Sequence, residues 1–282
     1  MPDAGGLGER VLLLGTGLTM IDAVFALGRP GRRFIAVSRR GLLPRAHDAA
    51  PPASSRADIT GAPLDVFRQA LDRARECGWR EMVDEIRGSV RSLWASWSVA
   101  ERETFLRHLR PWWEVHRHRM APHVAHRMEL LQRHGDLFVH AGAIRRLDLA
   151  GDQVRVVWRF RGERQVQVKM VDAVVNCTGH NGEIRLADDP LMEALLRRRL
   201  VRPDPCRLGL DVDARSRPLD VDGVPSPELY AVGPLTRGAF WEITSVPDIR
   251  IQAAETAADV RGALLARGPV RRAGEGGHAT PA

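Results

Sequence analysis

The sequence predicts an α/β fold in three layers, interrupted by an all-helical insertion and completed by a β-meander, and three observations carry that prediction. The apolar run Val11–Leu14 feeds the turn Gly15-Thr16-Gly17 and then a helical pattern that ends near Leu27-Gly28. From about Leu64 to His134 the apolar period becomes purely helical, and after Gly135 it returns to strand-like runs. Strand, glycine turn, helix and second strand make the first βαβ half of a Rossmann-like dinucleotide-binding fold.

Residues 1–10 read as a Gly-rich leader, and Val11–Leu14 as a short buried strand. Arg29-Pro30-Gly31 turns the chain into a second strand, Arg33 to Val37. Residues 45–60, rich in Pro, Ala and Ser without periodicity, are expected to form a loop. In the insertion, Trp79, Met82, Val83, Ile86, Val90, Leu93, Trp94 and Trp97 recur at helical spacing. Ser98 with Glu101 makes a capping box, and Pro111 and Pro122 should break or kink the helices. The later strands are LFVHAG (137–142), AIRRLDL (143–149), VRVVWRF (154–160) and AVVNCTG (173–179), with turns at Gly151-Asp152 and Gly162-Glu163. A helix at 190–199, a Pro-rich loop, a strand LYAVG (229–233) and a C-terminal helical segment follow, and residues 267–282 are expected to be disordered.

At 282 residues the chain can bury a substantial core. Its net charge of +7 raises the question of nucleic acid, but of 42 basic residues only Lys169 is a lysine and the arginines form no concentrated stripe. The excess suits small anionic ligands such as phosphates, and no nucleic-acid partner is expected. Cys77, Cys177 and Cys206 are odd in number and in no CxxC pair, which predicts reduced thiols and a cytoplasmic protein. No apolar run approaches the roughly 20 residues of a membrane helix, so no membrane partner is expected.

The glycine turn permits close approach to a pyrophosphate, and the helix behind it offers free N–H groups and a positive dipole end. Gly15, Thr16, Gly17, Leu18 and Thr19 are therefore candidate cofactor-binding residues. Met20 stands where a third glycine normally lets helix and strand pack closely, and should splay the helix or point aside. Arg39 lies 22 residues after Gly17, near the position that reads the ribose, and the strand ends in Ser38-Arg39-Arg40 with no acid. Guanidinium groups there suit a 2′-phosphate, so NADP(H) is the preferred dinucleotide.

Seven histidines crowd residues 108–140, but Arg117, Arg119 and Arg127 lie among them, and neighbouring cations oppose a metal, so no metal site is expected. Trp112 and Trp113 beside His116, Arg117 and Arg119 form either a stacking and anion-binding wall for a small-molecule substrate or a core tryptophan pair with exposed arginines. Cys177 reads as a buried small hydrophobe, and no GxSxG elbow is present, so any chemistry is a cofactor's.

VLLLGTGLTMIDAV, AVSRRGLLPRAH, RPWWEVHRHRMAP, VVNCTG and LYAVGPLTRGAFWEITSVPDIRIQAAE, five motifs in one order from about Val11 to Val260, together resemble the bacterial FAD/NAD(P)-binding proteins of the two-dinucleotide-binding flavoprotein superfamily. The resemblance implies that Thr178 and Gly179 lie beside the cofactors, that Gly233 and Pro234 approach FAD, and that the backbone at Asp248 and Ile249 faces the flavin, where a helix N-terminus stabilises negative charge. It also implies that an N-terminal stretch with its own GxGxxG, which grips the ADP half of FAD, is missing through truncation, gene splitting or a misplaced start, with a partner chain as one candidate source of that half. The implied organisation is a leader (1–10), the first half of the NAD(P) domain (11–63), the helical insertion (64–134), the remaining NAD(P) strands and crossover (135–182), the C-terminal part of the FAD domain (183–266) and the tail (267–282). The expected activity is hydride transfer from NADPH to flavin, with flavin-dependent hydroxylation of a small molecule as its sharper form. The alternative is a noncatalytic NADP(H)-binding or partner module.

Overall fold

Alternation along β1 (Arg10–Leu14) organises the fold, a computed structural model that describes residues 4–47, 58–179 and 182–266. The tail beyond residue 266 and most of the expected 45–60 loop lie outside the described residues. Two units can be told apart: residues up to Ser89 with Trp97–His180, and Val90–Ser96 with the chain from Asn181 onward.

In the first unit, β1 pairs in parallel with β2 (Arg33–Ser38) on one side and with β6 (Ala173–Asn176) on the other. The sheet runs on through β3 (Leu137–Ala150), β4 (Gln153–Phe160) and β5 (Gln167–Val171), in the order β5-β4-β3-β2-β1-β6. Val11 and Leu13 point to one face, where they meet Met20, Ile21 and Val24 of α1 (Leu18–Leu27) and Met128 of α7 (Pro122–Arg133). Leu12 points to the other face and meets Ile35, Val37, Val156, Trp158 and Val171. Three layers result: helices, sheet and the curled-over meander.

Runs 137–142 and 143–149, expected as two strands, form one. β3 pairs in parallel with β2 over Leu137–Ala141 and antiparallel with β4 from Gly142 onward, with a bulge between Ile144 and Arg146. Gly142 and the bulge make the bend possible. A Cβ at Gly142 would lie 2.7 Å from the Arg159 carbonyl oxygen, and a bulge bends its strand without ending it. β5 was not foreseen as a strand, because its alternation is interrupted by Lys169 on the inner register. Met20 does not point aside: it is fully buried in the cluster of Val11, Leu13 and Phe34, where a flexible thioether fills space between helix and strand.

The insertion supplies α2 (Pro63–Cys77), α3 (Trp79–Arg87), α4 (Val90–Ser96), α5 (Val99–Thr104) and α6 (Arg110–Arg117) before α7. Ser98 and Glu101 form the expected capping box at α5. Pro111 sits in the first turn of α6 behind a π-turn, Phe105–Leu109, and Pro122 opens α7, positions where a missing N–H costs least. Buried Glu85 of α3 accepts two 2.7 Å bonds from the Arg73 guanidinium of α2, closing the α2–α3 pair.

In the second unit, α8 (Pro190–Arg197) and α9 (Val246–Ala266) flank irregular chain whose core is Ile184, Met192, Val201, Leu210, Val212, Ala231, Phe240 and Ile243. Although α4 was expected to belong to the helical insertion, it packs here: Trp94 stacks on Trp241 at 4.9 Å and donates Nε1–H to the Gly238 carbonyl at 2.8 Å. The segment LYAVG, expected as a strand, is not one. Among the described residues it has no neighbouring strand, and its Ala231 N–H makes a single backbone bond, to Ser216.

Candidate functional site

The parallel strands β1, β2 and β6 share one C-terminal edge, and the strand order reverses at β1. Open α/β sheets hold ligands in the crevice at such a reversal. Gly15 leaves β1 with φ +105°, and a Cβ there would stand 2.6 Å from the Cys177 carbonyl oxygen, so the ends of β1 and β6 meet backbone to backbone. Gly17 differs. Its φ is an ordinary −84°, and nothing lies within 4 Å of where its Cβ would be, which leaves room for a ligand against the main chain. The intrahelical bonds of α1 begin with the N–H groups of Met20 and Ile21, both to the Gly17 carbonyl, so the Leu18 and Thr19 amides precede the ladder and are open to an anion.

Thr16 and Ser38 serve the frame. The Thr16 hydroxyl donates to the Leu42 carbonyl at 2.6 Å and lies 2.8 Å from the Ser38 hydroxyl, which accepts the Gly41 N–H at 3.0 Å. This knot ties the end of β1 to the loop after β2. From that loop Arg39 is exposed and makes no hydrogen bond or ion pair among the described residues, whereas Arg40 sends Nη2 to the carbonyls of Arg107 and His108, 3.2 Å each. Thr178 is exposed, and its N–H and hydroxyl donate to Asn176 Oδ1; Gly179 follows with φ +82°. Gly15 to Thr19, Ser38 to Arg40 and Thr178 to Gly179 thus gather at one edge of the first unit.

Gly233, Pro234, Asp248 and Ile249 gather in the second unit. Gly233 has φ +82° with open space at its Cβ position, but its N–H is taken by Gln252 Oε1 at 2.7 Å. Ser245 caps α9: its carbonyl accepts the Ile249 N–H at 3.0 Å, its hydroxyl bonds the Asp248 carboxylate, and the Asp248 N–H leans to that hydroxyl at 3.4 Å. The start of α9 therefore carries a carboxylate tied to its own cap.

The Trp112–Arg119 group divides. Trp112 is 38% exposed and His116 lies one turn on, its Nδ1 2.8 Å from the Trp112 carbonyl. Arg119 is committed to the protein: it pairs with Asp84 at 3.0 Å with its side chain 8% exposed, donates Nε–H to the His116 carbonyl, and lies over the Trp79 ring. Trp113 and Arg117 are half-buried. No signal in the sequence marked Gln252, Glu85 or Asp172, whose partners stand far away along the chain. Among the described residues, Cys77, Glu81 and Glu85 are near enough to share an ion, yet the Arg73 guanidinium already occupies both oxygens of Glu85.

Burial holds the His116 and His140 pKa values below the ordinary 6.5, with Arg45 and Arg119 near the first and Lys169 near the second opposing protonation further. Asp172 accepts the Arg10 and Glu9 N–H groups at 2.8 Å and is held below the carboxylate range mainly by the Arg10 bond. Glu183 is held down to about 2 by Arg185. All these shifts have one sign. A depressed pKa means that the unfolded chain takes up the proton more readily, so the stability these groups contribute is present above their ordinary pKa and is lost as pH falls. Urea midpoints are expected to drop from about pH 7 to 5, through the histidine window, and again below about pH 4. His140→Gln should flatten the first step, and an unchanged profile would remove His140 from this account.

No protein-family profile matches the sequence, and no curated protein matches it. Solved structures do match in fold. The reduced form of ornithine hydroxylase from Pseudomonas aeruginosa superposes with a TM-score of 0.55 at 15% identity, over 90% of this chain and 53% of that one. L-lysine 6-monooxygenase from Pseudomonas syringae gives 0.55 at 18%, over 92% and 54%. An ornithine N-hydroxylase from Kutzneria sp. 744, with reduced FAD, NADP+ and L-ornithine, gives 0.52 at 17%, over 92% and 55%. The chain therefore spans about half the length of the structures it matches. Its α/β fold is similar to the matched half of these hydroxylase and monooxygenase structures. Among the described residues, no helix is long and apolar enough to cross a membrane.

Proposed function

We propose that the chain works in an FAD- and NADP(H)-linked oxidoreductase, in which hydride passes from NADPH to flavin and a small molecule is hydroxylated. The observation that carries this is the crevice at β1, where Gly15 is sterically compelled, Gly17 leaves open space and the α1 amides are unused. The residues present fit NADP(H). The Leu18 and Thr19 amides with the α1 dipole hold the pyrophosphate, and Arg39 meets the 2′-phosphate. Thr178 and Gly179 line the other side of the crevice. For FAD the fit is partial: Gly233 offers open space and the α9 dipole favours negative charge on the ring, but the Asp248 amide is engaged with the Ser245 hydroxyl and the Asp248 carboxylate opposes that charge. The bound cofactors would supply the hydride chemistry; the chain supplies anion binding, orientation and a Trp112–His116 wall for the substrate. The fold match to N-hydroxylating monooxygenases supports a small amine as the substrate class.

A second reading, a noncatalytic NADP(H)-binding module that needs a partner chain for the FAD half, is favoured by the segment Leu229–Val232, which among the described residues belongs to no sheet. Flavin released on denaturing the purified protein would reject it. For the first reading, Arg39→Ala is expected to weaken NADPH about 10- to 100-fold with NADH unchanged, since a charge-assisted bond to phosphate is lost at one site. Wild-type protein that binds both dinucleotides equally, or neither, would reject NADP(H) preference.

A further inference from the structure

Arg39 and Arg40 are adjacent in sequence, yet their surroundings differ. Arg39 projects into solvent without a partner among the described residues. Arg40 is half-buried, and its Nη2 reaches the carbonyls of Arg107 and His108, both at 3.2 Å. Those carbonyls lie in the π-turn Phe105–Leu109, directly before α6. In the π-turn the Arg110 N–H is drawn back five residues, to the Phe105 carbonyl. The next residue is Pro111, which has no N–H to give. In α-helical register that N–H would have gone to the Arg107 carbonyl, one of the two that Arg40 now satisfies.

We infer that Arg40 is a positioning residue and not a phosphate ligand: it clamps the loop after β2 onto the carbonyl that Pro111 leaves open, and so fixes where Arg39 points. The inference rests on the NADP(H) reading for its consequence, while the clamp itself stands on geometry alone. Two adjacent arginines then have two tasks. Arg39 distinguishes NADPH from NADH; Arg40 holds the loop that both dinucleotides need, and links it to the helix bearing Trp112 and His116. The knot of Thr16, Ser38, Gly41 and Leu42 anchors the same loop from the β1 side, and backbone bonds of Arg45 and His47 to Val115 and Met120 hold its far end, so the clamp fastens the stretch between these two ties, next to Arg39.

Dinucleotide titrations of the full chain, read by fluorescence, separate the two tasks. Arg40→Ala should weaken NADPH and NADH by the same factor, about threefold to tenfold for one lost positioning contact, and Arg40→Lys should recover part of it. Arg39→Ala should weaken NADPH alone. Loss of NADPH binding with NADH spared in Arg40→Ala would make Arg40 a phosphate ligand and overturn the inference. Urea denaturation of Arg40→Ala, Pro111→Ala and the double variant tests the clamp without any dinucleotide. Restoring the N–H at 111 supplies the Arg107 carbonyl, so Arg40→Ala should cost less stability in the Pro111→Ala background. Strict additivity would refute the clamp. If the wild-type chain binds neither dinucleotide while the coupling is found, the NADP(H) reading fails and the clamp stands.

Discussion

Gly15→Ala is expected to abolish dinucleotide binding and to destabilise the first unit by about 2–4 kcal/mol, the range for a strained backbone with a steric overlap. Two causes act together. The residue holds φ +105°, a region that side chains other than glycine's rarely adopt, and the new methyl carbon would stand 2.6 Å from the Cys177 carbonyl oxygen and 2.9 Å from its carbon. Both obstacles are backbone, so no rotamer change relieves them. The ends of β1 and β6 must separate, and the crevice beside Gly17, Thr178 and Gly179 opens with them. Gly17→Ala is the control: its φ is ordinary and its Cβ position is empty, so the fold should stand while any ligand that approaches the main chain is displaced. Urea melts and NADPH titrations of the two variants measure this. Equal stability loss in both, or none in Gly15→Ala, would refute the assignment of Gly15 to packing and Gly17 to the ligand.

Gln252→Leu should destabilise the second unit by about 3 kcal/mol, because buried donors and acceptors stripped of partners cost roughly 1–3 kcal/mol each. Gln252 is 2% exposed on α9. Its Oε1 accepts the Gly233 N–H at 2.7 Å, and its Nε2 donates to the hydroxyls of Thr236 at 2.9 Å and Ser216 at 3.1 Å. Thr236, wholly buried, passes its own proton to the Gly233 carbonyl at 2.8 Å. One amide therefore joins α9, the Gly233-Pro234 turn and the residue-216 loop. Leucine has nearly the same volume, so the loss reads the hydrogen bonds and not a cavity. A Gln252→Leu midpoint within error of wild type would show that the network carries no net stability.

The first unit was largely legible because its signals are local. The Val11–Leu14 run, the glycine turn, the second strand and the Ser98–Glu101 capping box are all written in patterns a few residues long, and each formed where it was expected. Sequence also placed Arg39 and Arg40 at the end of β2. It could not divide them, since Arg40's partners stand 67 and 68 residues away. Arg119, expected beside Trp112 as part of a substrate wall, is instead held by Asp84, 35 residues back. LYAVG illustrates the converse: strand propensity alone does not make a strand, which requires a neighbour to pair with, and no strand pairs with it among the described residues.

Sequence alone determined what periodicity and backbone chemistry dictate: the α/β order, the glycine turn, the helix caps and starts, and the basic end of β2. Tertiary structure decided which polar groups are left for a ligand. Hydrogen bonds and ion pairs are short-ranged in space but not along the chain, so packing commits Thr16, Ser38, Arg40 and Arg119 to the frame and, among the described residues, leaves the Leu18 and Thr19 amides and Arg39 without partners.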